Sequence, residues 1–107
     1  MAEREQRDGG TQVVTRTRPK AETEQPRRYK VLLHNDDFTT MEFVVWVLMS
    51  IFHHEEARAT EIMLHIHRSG LGVAGVYSRE IAEARVAKVT SLAREHEFPL
   101  LCSMEED

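Results

Sequence analysis

Asn35, Asp36 and Asp37 stand side by side in the stretch LHNDDFTTMEFV, between an apolar run and the start of a helix. An amide and two carboxylates in a row can serve four kinds of chemistry: a turn, a metal site, a catalytic acid–base pair, or a site for a positively charged group. A second segment, ATEIMLHIHRSG, adds His67, one residue after Ile66 and four after Met63. That spacing puts the imidazole at the edge of an apolar helix face, where it can partner a cation together with carboxylates and an amide.

Most of the alternatives fail on spacing. The zinc pattern H-E-x-x-H breaks because Arg58 stands where the second histidine belongs. His65 and His67 lie two apart on a helix and point to different sides, and Cys102 is the sole cysteine. NDDFTTME lacks the alternate oxygens, mid-loop glycine and terminal glutamate of a calcium loop. Adjacent carboxylates cannot face each other across a glycoside. There is no nucleophile elbow, phosphate loop or dinucleotide fingerprint. The expectation is a non-enzyme without metal or cofactor. Turn chemistry and amine binding remain, because Asn and Asp bond nearby backbone in turns. Thr39 is expected to cap the following helix, so three further polar groups exceed what a cap requires.

The elements that must position these groups follow from periodicity. Tyr29, Val31 and Leu33 alternate with Lys30, Leu32 and His34, as in a strand. Thr39 and Glu42 have capping-box spacing, and Phe38 and Phe43 have staple spacing, so a helix is expected from about Thr40. Its apolar face holds Met41, Val44, Val45, Leu48, Ile51 and Phe52. A second helix is expected with Glu55 and Glu56 in its first turn, where the dipole favours them; it carries Ala59, Ile62, Met63 and Ile66 and ends at Gly70. LGVAGVYS reads as a strand whose glycines mark a bulge or a close backbone approach. Ser78 caps a third helix with Ala82, Val86, Val89 and Ala93 inward, and LLCSM after Pro99 gives a last strand. The β-α-α-β-α-β order predicts a compact two-layer α+β domain, a three-stranded antiparallel sheet with three helices.

The chain has 107 residues, enough for one domain. Its net charge of −4 argues against nucleic acid. No apolar run approaches the roughly 20 residues of a membrane helix, and no signal-peptide pattern is seen. With one cysteine no internal disulfide is possible, so a reduced, cytoplasmic protein is expected. Residues 1–27 are too poor in apolar side chains to offset ordering entropy, and a disordered extension is expected before a folded domain at 28–107.

The blocks YKVLLHNDDFTTMEFVVWVL, ATEIMLHIHRSG, GVYSREIAEARVAKV and FPLLCSMEED resemble the ClpS family, in order and spacing, over about residues 28–106. These are bacterial adaptors that deliver N-degron substrates to the Clp ATP-dependent protease. The resemblance implies a binding protein that holds the free α-amino group of a protein beginning with Leu, Phe, Tyr or Trp. It implies that Asn35, Asp37 and His67 bind the ammonium, with Asp36 as a nearby or structural carboxylate. Thr39, Met41, Val44, Met63, Ile66 and Leu100 would line the side-chain pocket, with Met41 as a gate against β-branched residues. Glu80 and Arg85 fall where the family docks on the N-terminal domain of a ClpA-type AAA+ ATPase. The chain departs from the family in three places: Thr40 replaces a common proline, which should loosen the loop, His34 replaces an aliphatic residue, and Arg85 replaces a lysine.

Chemistry and resemblance agree on the Asn-Asp-Asp question. An ammonium has three donors, and an amide oxygen, a carboxylate and a neutral imidazole are three acceptors. Thioethers such as Met41 and Met63 adapt to varied side chains, although at helical spacing they also suit a core. Charge-assisted bonds of ~1.5–3 kcal/mol each and a buried Leu or Phe at ~1.5–3 kcal/mol, set against association costs, point to roughly micromolar binding. The competing readings are a small structural or assembly domain whose loop is only a turn, and a metal-dependent hydrolase using the histidines.

Overall fold

The computed structural model describes residues 26–107. Residues 1–25 of the expected disordered extension lie outside the described residues. The elements run β1 (Arg28–His34), α1 (Met41–Ser50), α2 (Glu56–Ser69), β2 (Leu71–Ser78), α3 (Arg79–Glu95) and β3 (Leu101–Glu106). β1 is the central strand, antiparallel to β2 on one side and to β3 on the other. This is the predicted α+β architecture in the predicted order.

The period-two alternation of β1 places Val31 and Leu33 under the helices, where both are wholly buried. They meet Val47 and Leu48 of α1 and Val89 of α3 in one core. α3 lies on all three strands, while α2 packs on β2 and α1. Leu32 is buried too but stands outside that core cluster. The Cys102 thiol is buried in the core, which pushes its pKa up to about 12 and leaves no reactive thiolate at neutral pH.

The glycine-marked irregularity in β2 is real. Val31 faces Gly75 while Leu32 faces Val73, so Ala74 has no partner on β1. His54, between α1 and α2, takes up the freed carbonyl: its Nε2 donates to the Ala74 oxygen at 2.6 Å. Gly72 marks a close approach, since a Cβ there would come within 2.8 Å of the Ile66 side chain.

The start of α1 differs from the expected capping box. Thr40, not Thr39, is the N-cap, and its hydroxyl accepts from the Phe43 N–H at 3.1 Å. Thr39 is drawn away because its own hydroxyl donates to Asp36. Phe38 is 75% exposed, so no staple forms with the buried Phe43. Position 40 is thus the cap and not the first helical residue. A threonine there supplies an acceptor that proline lacks, so this departure from the family pattern does not simply loosen the loop. Two other ends follow expectation: Ser78 accepts from the Ile81 N–H, and Gly70 closes α2 at φ 96°. At the start of α2 only Glu56 lies in the first turn, and Glu55 is the N-cap.

Candidate functional site

The loop from Asn35 to Thr40 is organised by one side chain. Asp36 Oδ1 accepts from the N–H groups of Phe38 at 2.8 Å and Thr39 at 2.7 Å, and Oδ2 accepts from the Thr39 hydroxyl at 2.7 Å. Partial burial works to raise the Asp36 pKa, but the bonds from Thr39 and Phe38 outweigh it and hold the carboxyl below its ordinary value. Asp36 is therefore ionised and already committed to its own turn.

A second tie fixes where the loop lies. The Asn35 N–H donates to the Gly70 carbonyl at 2.8 Å, and the Gly70 N–H donates to the Ile66 carbonyl at 2.8 Å. The left-handed glycine that ends α2 thus carries the carbonyl that anchors Asn35. This brings the loop to the C-terminal turn of α2, which also bears His67. The negative end of the helix dipole favours a cation at such a place.

Between loop and helices lies a cavity of about 260 Å³. Asn35, Asp36, Asp37, Thr39 and His67 form its polar side, and Met41, Val44, Met63 and Ile66 its apolar side. Val44, Met63 and Ile66 are buried, whereas Met41 is 45% exposed. Ile66 is held from behind by the close approach of Gly72. No lysine or arginine lines the cavity. Every side-chain hydrogen bond within the loop ends on Asp36 or Thr40, so the side chains of Asn35, Asp37 and His67 have no partner among the described residues. The result is a set of open acceptors beside an apolar hole, suited to a group with a cationic head and an apolar body. Among the described residues no three His, Cys, Asp or Glu converge to hold a metal.

Of the ten expected ligand-site residues, Asn35, Asp36, Asp37, Thr39, Met41, Val44, Met63, Ile66 and His67 line this cavity. Leu100 is not among the lining residues. It immediately precedes β3, is buried in the core, and borders a separate depression with Phe98 and Pro99. His34 does not line the cavity either, because its Nε2 is hydrogen-bonded at 2.7 Å to the Ser103 hydroxyl on β3. Glu80 and Arg85 lie on α3, outside the cavity lining. Glu80 is exposed in the first turn, and the Arg85 guanidinium sits 5.4 Å from the Tyr77 ring centre. The Arg85 Nε is buried without a partner among the described residues. The Gly70 carbonyl that fixes Asn35 was missed in the sequence. Its glycine was legible as a helix end, but the donor it receives comes from a loop far away in the chain.

Residues 24–103 match the family model described as ATP-dependent Clp protease adaptor protein ClpS. The chain is 50% identical to the ATP-dependent Clp protease adapter protein ClpS of Phenylobacterium zucineum, over all of both chains. It is 52% identical to the adapter of the same name from Roseobacter denitrificans, over all of this chain and 93% of that one. Among solved structures it is similar to Agrobacterium tumefaciens ClpS2 bound to L-phenylalaninamide, with a TM-score of 0.75 and 40% identity. That match covers 78% of this chain and all of the other.

Proposed function

The chain belongs to the ClpS family of Clp protease adaptors, which are non-catalytic, and from that premise we propose what its cavity selects and how the cargo is delivered. The cavity holds the first residue of a protein with a free N-terminal Leu, Phe, Tyr or Trp. Asn35, Asp37 and His67 accept from the α-ammonium, while Asp36 keeps the loop in shape. Thr39, Met41, Val44, Met63 and Ile66 surround the first side chain, and Met41 at the mouth rejects β-branched residues. The observation that carries this reading is the division of labour in the loop: one carboxylate is spent on three local bonds, and the adjacent carboxylate stands open beside an apolar cavity. The L-phenylalaninamide bound to the A. tumefaciens relative, an aromatic residue with a free amine, supports it.

The folded adaptor, 28–107, then docks through Glu80 and Arg85 on the N-terminal domain of a ClpA-type AAA+ ATPase in the bacterial cytoplasm. The segment 1–27 initiates transfer of the cargo to the protease. No helix among the described residues is long and apolar enough to cross a membrane. The direct test compares a Phe-initiated peptide with its N-acetylated twin by fluorescence anisotropy. Acetylation removes the charge and two donors, so the acetylated peptide should bind at least tenfold more weakly, given ~1.5–3 kcal/mol for each charge-assisted bond. Equal affinity would return the loop to simple turn chemistry.

A further inference from the structure

Three large apolar side chains of α1 remain unburied: Met41 at 45% exposure, Trp46 at 44% and Met49 at 38%. They are not scattered. Val45, Trp46 and Met49 of α1 face Thr60 of α2 across a groove of about 380 Å³. Met41 and Met63 line this groove and the ammonium cavity alike, so the two spaces are adjacent. Glu42 and Glu56 also border the groove. Trp46 is an exposed ring held in place, its centre 5.8 Å from Phe43 and 6.0 Å from His96. A braced aromatic offers contact area at little entropic cost on binding.

We propose that this groove is a second subsite, occupied by the substrate residues that follow the held N-terminal residue, and that it favours an apolar side chain at the third or fourth position. The proposal rests on the pocket reading given above. The occupant follows from adjacency, because a chain anchored by its ammonium and first side chain leaves the cavity beside Met41 and Met63, the wall that the cavity shares with the groove. Length agrees: at ~1.5 Å per helical residue, Met49 lies about 12 Å along α1 from Met41. An extended chain covers that in about four residues. The two glutamates at the border make an acidic occupant unfavourable, so the preferred segment is apolar and neutral or basic.

The experiment uses the full chain and four fluorescent peptides, read by anisotropy. All begin with Phe, carry either Leu or Ser at the third and fourth positions, and have either a free or an acetylated N-terminus. The Leu peptide should bind about five- to tenfold more tightly than the Ser peptide, the range for partial burial of one such side chain. In Met49→Glu and in Trp46→Ala that ratio should fall to about one, with the free Ser peptide bound as by the parent. A ratio near one in the parent, or a ratio unchanged in both variants, overturns the groove while the preference for a free amine stands. Equal binding of free and acetylated peptides overturns the pocket reading and this inference with it.

Discussion

Two polar loops flank α1, and they spend their polar groups differently. The loop before it, Asn35–Thr40, gathers its hydrogen bonds onto Asp36 and leaves Asn35 and Asp37 facing an apolar hole. The loop after it carries His53 and His54, equally suggestive as letters. Yet the His54 ring donates to the Ala74 carbonyl, and the His54 backbone N–H donates to the Leu48 carbonyl at 3.1 Å. His53 turns the chain at φ 62°. In the second loop the polar side chain serves the fold. In the first, one polar side chain serves the fold so that its neighbours need not. A polar cluster becomes a candidate binding site when its local bonds are satisfied by a subset of its members and the rest face an apolar surface.

The sharpest way to break that comparison is to exchange the roles of the two adjacent carboxylates. Asp36→Ala removes the acceptor of three bonds, so stability should fall by about 1–3 kcal/mol and peptide affinity by more than tenfold. Asp37→Ala should leave the denaturation midpoint unchanged and weaken binding alone, by about 1.5–3 kcal/mol. Urea titration and anisotropy on both variants decide it, and equal loss of stability in the two would remove the division of labour. The pH dependence carries the same sign. The folded Asp36 pKa lies below the ordinary 3.8, so its contribution is complete above that value and fades as pH falls through the lower folded one. Parent and Asp36→Ala should therefore converge in stability at strongly acidic pH.

The second loop supplies a smaller, complementary effect. His54→Ala leaves the bulge carbonyl of Ala74 without its partner and should lower stability by about 1–2 kcal/mol. Binding of a Phe-initiated peptide should not change, because His54 lies outside the cavity lining. A variant with normal stability and weakened binding would mean that this loop also acts on the site.

Helix faces, strand alternation and the left-handed Gly70 were legible because each is written in residues a few positions apart. The polar cluster of Asn35, Asp36 and Asp37 and the placement of His67 stood out in the same way, whereas the lining from Thr39 to Ile66 was expected only from the family resemblance. What escaped was competition between neighbours. Thr39 and Thr40 both have a hydroxyl able to cap α1, and the spacing of Thr39 to Glu42 favoured the wrong one because it ignored the claim of Asp36 on Thr39. Phe38 fitted a staple by position, yet the cap moved by one residue and left it exposed. His34 and His54 found partners at Ser103 and Ala74, contacts set by sheet register and by a bulge. Long-range bonds of that kind have no local signature.

The smallest expected effect tests the cap itself. Thr40 has φ −71° and ψ 152°, an extended conformation with a φ that proline already favours. Thr40→Ala removes the acceptor for the Phe43 N–H and should lower stability by about 1 kcal/mol, the usual loss for a threonine cap. Thr40→Pro removes the same acceptor but also restricts the unfolded chain, which stabilises by ~0.4–1 kcal/mol where the backbone fits. The two terms nearly cancel, so the proline variant should lie between the alanine variant and the parent. Urea midpoints of the three proteins order them. Since α1 also carries Met41 and Val44, peptide affinity should follow the same order with differences of no more than a few-fold. A proline variant less stable than the alanine one would show that the ring clashes with the turn held by Asp36, and that the threonine is required by the loop and not only by the helix.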